Sequence, residues 1–202
     1  MLNISRPKTK LPFAANTYLL ISDGVLSVVD PTVPYSELYS QHTPGYIFLT
    51  HCHFDHILEL DSWVEQGFRV VCSESCAVGL RSSDINCYKL FSGADKSYSG
   101  EVRVILDGEE ISIGKATVKA IYTPGHTEGS LIYLSGDDCF VGDTVFAGGG
   151  FGRWDLPGGN FDKLRSSIKK ICDLPPHTVL YPGHGERTTV WEYKQQITKR
   201  ML

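Results

Sequence analysis

Short apolar runs separated by turn-forming residues recur along the chain, and they predict strands that alternate with helices. Residues 16–21 and 25–29 form a predicted β-hairpin, because the Ser-Asp-Gly sequence at 22–24 is typical of a tight turn. Residues 46–49 are fully apolar, which is typical of a short strand buried on both faces. The first half also has predicted helices at 34–41, 57–66 and 75–80 and a predicted strand at 69–72.

From residue 101 the pattern changes to closely spaced strands with tight turns, which predicts an antiparallel meander. A glycine-rich loop at 147–152 follows it, and residues 161–171 have the apolar spacing of an amphipathic helix. Residues 81–100 show no clear period, and we expect there a lid near a site or a plain surface connection. The predicted strands are 102–106, 110–113, 117–122, 130–134, 138–141 and 178–181, and the last predicted helix is 190–199.

Each half of the chain, about residues 1–100 and 101–202, therefore offers strands followed by helices. This content predicts an α/β fold in which two sheets pack face to face with helices on the outside. A length of 202 residues suits one domain made of two such halves.

Composition narrows the classes of function. Hydrophobic residues make up 42% and charged residues 21%, and the net charge of −4 without a basic stripe argues against nucleic-acid binding. No stretch approaches the roughly 20 apolar residues of a membrane span, and the N-terminus does not resemble a secretory signal. We therefore expect a cytoplasmic protein with reduced cysteines. Cys72 and Cys76 could suggest a zinc pair, but no second pair at ribbon spacing accompanies them.

One loop concentrates side chains that bind metals. His51, His53, Asp55 and His56 fall within one hexapeptide that follows the strand predicted at 46–49, although the chain has only seven histidines. Layered α/β folds usually build their sites in the loops that follow strands. The spacing therefore predicts a metal site, and a polar loop with locally bonded histidines is the alternative.

Three later residues of the same chemical types also follow predicted strands. His126 lies in a Pro-Gly-His turn, Asp143 in a Gly-Asp-Thr turn and His184 in a Pro-Gly-His-Gly turn. Each one alone is compatible with an ordinary turn or cap. Four such strand ends in one chain favour a shared site.

The seven residues divide into three histidines, a set of one aspartate and two histidines, and one aspartate left to bridge the two sets. Mixed imidazole and carboxylate ligands suit two divalent ions, zinc or alternatively iron or manganese, with positions open for solvent. Two such ions can share a hydroxide and so provide a nucleophile at neutral pH. The sets are His51, His53 and His126, then Asp55, His56 and His184, and finally Asp143.

The hexapeptide followed by the three later ligands resembles the metallo-β-lactamase superfamily. The resemblance covers nearly the whole chain and includes Asp30, at the end of the second hairpin strand. It implies a four-layer αβ/βα sandwich with a dinuclear site between the edges of the sheets. It also implies that Asp55 is both a metal ligand and the residue that handles a proton beside the bridging hydroxide.

Within this superfamily, the chain is most similar to short glyoxalase II-like hydrolases. A bridging Asp143 resembles that branch, since true β-lactamases lack a bridging aspartate, and segments 142–146 and 152–159 are also similar. The resemblance implies thioester hydrolysis, in which the metal hydroxide attacks the carbonyl and a thiolate leaves. Because a thiolate is a good leaving group, Asp55 need only move the remaining proton.

The resemblance implies a small thioester such as a hydroxyacylglutathione as the substrate, but the sequence departs from glyoxalase II in two places that bear on glutathione recognition. Full-length glyoxalase II enzymes have a basic C-terminal helical domain, whereas this sequence stops about one helix after His184. Their Gly-His-Glu-Tyr segment is Gly-His-Gly-Glu here. For a small anionic thioester substrate, Arg153, Lys89 or Lys96 is the candidate contact, although Arg153 is better explained as a structural residue of the glycine loop.

Other functions use the same residues. A persulfide dioxygenase would hold a single iron with part of this ligand set, and a related metallo-hydrolase would act on another small ester, amide or lactone. A β-lactamase would need a leader, and a tRNA-processing nuclease would need a basic exosite. A binding module that uses metal only for stability does not explain an open set of seven ligands.

Overall fold

The computed structural model of the protein describes residues 2–38 and 41–201, with side chains as far as residue 197. In these ranges the chain forms two six-stranded sheets, a two-stranded ribbon and five α-helices. The strands are β1 (Asn3–Ser5), β2 (Tyr18–Ser22), β3 (Val25–Val29), β4 (Thr43–Phe48), β5 (Arg69–Cys72), β6 (Val102–Val104), β7 (Glu110–Ile113), β8 (Ala116–Tyr122), β9 (Leu131–Ser135), β10 (Asp138–Gly142), β11 (Val145–Phe146), β12 (Gly150–Phe151), β13 (Val179–Pro182) and β14 (Thr188–Thr189). The helices are α1 (Leu60–Val64), α2 (Glu74–Leu80), α3 (Tyr88–Ser92), α4 (Phe161–Cys172) and α5 (Val190–Met201).

Both sheets are mixed. In the first sheet the strands follow chain order, β1 to β6; the β1–β2 and β2–β3 pairs are antiparallel and the pairs from β3 to β6 are parallel. The second sheet has the order β14-β13-β10-β9-β8-β7 and is parallel only between β10 and β13. Strands β8 and β10 both run opposite to β9, so β8, β10 and β13 end at the same edge.

Three apolar cores separate four layers. Successive side chains of a strand point to opposite faces, so Ile47 packs with Trp63 of α1 while Phe48 packs with Tyr133 of the second sheet. On the other side of the second sheet, Ile132 packs with Leu164 of α4. The order is helices, sheet, sheet, helices, which confirms the predicted αβ/βα sandwich.

Several predicted elements differ from the observed ones. The strand predicted at 102–106 as part of the meander is β6, which pairs with β5 at the edge of the first sheet, because an alternating pattern does not specify the partner strand. The helix predicted at 57–66 is limited to α1, after a 3-10 turn at Phe54–His56. The helix predicted at 34–41 is a 3-10 turn at Tyr35–Glu37, and its residues 39 and 40 lie outside the described residues.

The segment 81–100 also contains an element that its sequence did not predict. Residues 88–92 form α3, which Cys87 enters with a left-handed φ of 66°. A short helix of this kind is held by tertiary contacts rather than by an apolar period. Within residues 2–38 and 41–201, none of the helices combines the length and the apolar character of a membrane span.

Candidate metal centre

The ends of four strands deliver the predicted ligands to one place. His51 follows β4 of the first sheet, and His126, Asp143 and His184 follow β8, β10 and β13 of the second sheet. Because the ends of these three strands share an edge, their loops converge on the loop of the first sheet. The site therefore lies where the two halves of the molecule meet.

The structure brings all seven predicted residues together. Within three groups, one candidate donor atom from each residue lies within 4.8 Å of the others, which is close enough to surround a metal ion. We call the first group the three-histidine cluster and the third the mixed cluster. The groups are His51, His53 and His126; His51, His56 and Asp143; and Asp55, His56 and His184.

Asp143 lies between the two clusters. Its Oδ1 is 3.2 Å from the Nε2 of His56, and its Oδ2 is 3.7 Å from the Nε2 of His126 and 3.6 Å from that of His184. One carboxylate thus faces both clusters, as a bridging ligand would. Asp55 adds a second carboxylate, whose Oδ2 is 3.2 Å from the Nε2 of His184.

Buried Asp30 fixes the orientation of two imidazoles. Its Oδ1 accepts a hydrogen bond from the backbone N–H of Thr50, and its Oδ2 accepts bonds from the Thr50 hydroxyl (2.7 Å) and from His56 Nδ1 (2.8 Å). Since the Thr50 proton goes to Asp30, the Thr50 oxygen can accept a bond from His51 Nδ1, 3.1 Å away. Both rings then carry a proton on Nδ1 and turn Nε2 towards the candidate metal positions. Neutral His51 holds a lone pair there, and at His56 a metal would replace the second proton that Asp143 and Asp30 favour.

A backbone carbonyl group fixes the orientation of the His126 ring. Its Nδ1 donates to the carbonyl oxygen of Arg153 at 2.7 Å, so its Nε2 also carries a lone pair. That Nε2 lies 3.2 Å from the Nε2 of His51, an arrangement that brings two lone pairs together.

The donor atoms fit a cation. The buried Nε2 atoms of His53 and His56 and the Oδ1 of Asp143 make no hydrogen bond, although buried polar groups almost always have a partner. Buried imidazole and carboxylate atoms that converge without hydrogen-bond partners have the character of metal ligands. The arrangement therefore suits the two divalent ions that the ligand types predict.

Burial sets the protonation of the three-histidine cluster. It lowers the pKa of His53 to about 3 and that of His51 well below the ordinary value, and neighbouring imidazoles act in the same direction. Burial also lowers the pKa of His126. These rings are neutral at neutral pH, which is the form that binds a metal.

In the rest of the site, neighbouring charges and hydrogen bonds outweigh burial in setting the pKa values. Burial alone would lower the pKa of His56, but Asp143 and Asp30 outweigh it and raise that pKa well above the ordinary value. Burial alone would raise the pKa of Asp143, but His56 and His126 hold it well below the ordinary value. For Asp55, too, burial is outweighed, because the hydrogen bond to His184 keeps its pKa low. Both carboxylates are therefore ionised at neutral pH.

Two glycines allow the loops to approach this closely. A methyl group on Gly183 would overlap the Oδ1 of Asp143 and lie 2.6 Å from the Cε1 of His56. Gly142 has a left-handed φ of 49°, and its Cβ would lie 2.5 Å from the Thr50 hydroxyl oxygen. Both turns thus require residues without a side chain.

A cavity of about 410 Å³ opens onto the centre. His53, Asp55 and the three later ligands face it, and so do five apolar side chains that the sequence did not predict as site residues. Three of them had a sequence signal: Phe54 lies inside the hexapeptide, and Phe146 and Leu156 lie in segments 142–146 and 152–159. The apolar lining residues are Phe13, Phe54, Phe91, Phe146 and Leu156.

Of the three cationic residues predicted to contact an anionic substrate, one lines the cavity and two do not. Arg153 lines the cavity, but its guanidinium donates two hydrogen bonds of 2.7 Å to Asp155. Lys89 pairs with Asp84 at 3.4 Å, and Lys96 lies 3.8 Å from Asp61. Neither lysine is among the residues that line the cavity.

Comparisons with known proteins agree with this geometry. The sequence model of the metallo-β-lactamase superfamily matches residues 11–184. Over 194 residues the chain is 35% identical to the probable metallo-hydrolase YqgX of Bacillus subtilis, with 92% of each protein covered. The crystal structure of the BLEG-1 B3 metallo-β-lactamase superposes with a TM-score of 0.87 at 29% identity, covering 96% of this chain and 97% of that chain. For TTHA1623 in a di-iron-bound form, the TM-score is 0.82 at 28% identity, with 94% and 97% covered.

Proposed function

The chain belongs to the metallo-β-lactamase superfamily, and from that premise we propose that it is a dinuclear metal-dependent hydrolase of small thioesters. The observation that carries the proposal is the position of Asp143, whose carboxylate faces both clusters. A site for one ion would not need the complete mixed cluster beside the three-histidine cluster. In the reaction, water and a thioester give a carboxylic acid and a thiol.

Each cluster has a defined part in this proposal. The three-histidine cluster would hold one ion, the mixed cluster would hold the other, and Asp143 would contact both. When bound, the two ions would lower the pKa of a water molecule and polarise the substrate carbonyl. Zinc, iron and manganese all suit imidazole and carboxylate donors.

Asp55 is the proposed proton acceptor. Its carboxylate lines the cavity, and its low pKa keeps it ionised at neutral pH. It can therefore accept the proton that the attacking water releases. The thiolate needs no strong general acid to leave, which agrees with a cavity whose described lining offers carboxylates and imidazoles but no lysine or tyrosine.

The proposal is tested with metal-replete protein. Elemental analysis is expected to find two metal ions per chain, and S-D-lactoylglutathione or a smaller thioester is expected to be hydrolysed. Asp55→Ala removes both a ligand and the proton acceptor, so kcat/KM should fall by about 10²–10⁴-fold. Asp84→Ala, an exposed aspartate paired with Lys89, is the matched control and should retain activity.

Two other results would contradict the proposal. One bound iron together with oxygen uptake in the presence of glutathione persulfide, and no thioester hydrolysis, would identify a dioxygenase. Hydrolysis of a β-lactam without hydrolysis of a thioester would identify an amide hydrolase, a candidate that the similarity to the BLEG-1 structure favours.

A further inference from the structure

Three phenylalanines form a stacked row at the mouth of the cavity, which we call the aromatic ladder. Phe13 and Phe54 are stacked with ring centroids 6.0 Å apart, and Phe54 and Phe91 are stacked at 5.3 Å. Phe13 is 49% exposed and Phe91 is 51% exposed. Single exposed apolar residues are ordinary, but a row of them over a cavity usually marks a binding surface.

The aromatic ladder is continuous with the metal centre. Phe54 lies between His53 and Asp55 in the sequence, and all three side chains line the same cavity. The backbone N–H of Phe54 donates to the carbonyl oxygen of Asn86 at 2.8 Å, which ties the hexapeptide to the segment that carries α3 and Phe91. A substrate whose carbonyl reaches the metal ligands would therefore lie with one of its substituents against these rings.

The rest of the cavity is also poor in available positive charge. Phe146 and Leu156 add apolar surface, and Arg153 is the single Lys or Arg side chain among the described lining residues. Its two hydrogen bonds to Asp155 compensate its charge. A substrate with several carboxylates would have to compete with Asp155 for that guanidinium, whereas an apolar substituent needs no such partner.

We propose that the aromatic ladder binds an uncharged, apolar substituent of the thioester and so selects apolar thioesters over polyanionic ones such as those of glutathione. This inference rests on the proposed thioesterase function and adds the substrate class. The substituent can be the acyl group or the group on sulfur, since both are attached to the same carbonyl centre. Removal of a ring from the aromatic ladder should then weaken discrimination between long and short substituents without affecting the metal ligands.

The test uses two series of thioesters with the metal-replete protein. In the first series, N-acetylcysteamine carries acetyl, butyryl, hexanoyl and octanoyl groups; in the second, an acetyl group is carried by thiols of increasing length. In one of the two series kcat/KM should rise about fourfold per added methylene, the value expected from burial of apolar surface. The series that rises identifies the substituent.

Two exposed positions provide the variants. Phe13→Ala and Phe91→Ala should flatten the rise, so that kcat/KM falls more for the longest thioester of the rising series than for the acetyl thioester of N-acetylcysteamine. Neither ring is buried in the fold, so both variants should fold. Leu90→Ala is the matched control: Leu90 is 62% exposed on the same helix, α3, and does not line the cavity. It should keep the rise of the wild-type protein.

The outcomes separate this inference from the proposed function. Hydrolysis of the acetyl thioester with no rise in either series, or a rise unchanged in the Phe13→Ala/Phe91→Ala double variant, overturns the inference and leaves the thioesterase intact. If no thioester is hydrolysed, the proposed function fails, and calorimetry with uncleavable S-alkyl thioethers of N-acetylcysteamine decides about the aromatic ladder. Affinity that increases with chain length and is lost in the double variant supports it, and affinity independent of length overturns it.

Discussion

At the scale of single residues, the centre depends on side chains that do not line the cavity. Asp30 has a left-handed φ of 50°, so its backbone turns the carboxylate towards Thr50 and His56. Its negative charge orients two imidazoles whose Nε2 atoms face the candidate metal positions. The sequence placed Asp30 at a strand end but could not show which groups its oxygens accept from, because the partners lie in another loop.

Asp30→Asn is expected to weaken metal binding without unfolding the protein. Asparagine tolerates the left-handed backbone, but its amide carries no charge and offers one acceptor oxygen instead of two. The loss of such an outer partner typically lowers metal affinity about 10–100-fold. Competition with a chelating dye measures the change.

The control for that variant is Asp23→Asn. Asp23 has the same φ of 50°, but it lies in the exposed hairpin turn and pairs with Lys115. It should bind metal like the wild-type protein. Equal metal affinities in the two variants would show that Asp30 has no role in orienting the ligands.

At the scale of elements, strand ends and tight turns decide where the ligands lie. The four strands that carry the ligands could be predicted from the sequence, since apolar runs are local signals and three of the four turns contain Gly. Helix α3 could not, because its five residues have no apolar period and Cys87 enters it from a left-handed conformation. The position of Phe91 at the cavity was therefore not predictable, whereas that of His126 was.

Gly183→Ala tests the turn after β13. Its new methyl group would overlap Asp143 and press on His56, so the two clusters should be displaced relative to each other. A displacement of about 1 Å can lower kcat/KM about 10²-fold. Steady-state thioester kinetics, together with metal content, measure the effect.

The neighbouring Gly185 provides the comparison. It has a left-handed φ of 81°, but a Cβ there would have nothing within 4 Å. Gly185→Ala should cost about 1 kcal/mol of stability from backbone strain and leave the metal content unchanged. If both variants lose activity equally, strain in the loop rather than contact with Asp143 is responsible.

At the scale of the whole molecule, the centre exists only while the two halves remain packed. The sheet order and the edge position of β6 depended on long-range pairing and could not be predicted from local patterns. The four layers could be predicted, because the central strands β3, β5, β9 and β10 bury side chains on both faces. Tyr133 connects the halves: its hydroxyl donates to the carbonyl oxygen of Leu49 at 3.0 Å and lies 3.3 Å from that of Val71.

Tyr133→Phe is expected to lower the free energy of unfolding by about 1–3 kcal/mol, because buried carbonyl groups lose a donor. Denaturant unfolding measures the loss. Tyr181→Phe is the control, since its hydroxyl donates to Asp138 within the second sheet and is only half-buried. Tyr181→Phe should lower the free energy of unfolding by less than Tyr133→Phe does. An equal loss of unfolding free energy in the two variants would show that the hydrogen bond from Tyr133 to the first sheet adds no stability beyond that of an ordinary tyrosine hydroxyl.

The positions of the ligands along the chain determine which cluster is completed first during synthesis. His51 and His126 are 75 positions apart, and Asp55 and His184 are 129 positions apart. A growing chain that ends before His184 already holds every residue of the three-histidine cluster but not the complete mixed cluster. Contacts between distant positions form late in folding, so if the protein binds two ions as proposed, we expect the second to be captured only when β13 docks.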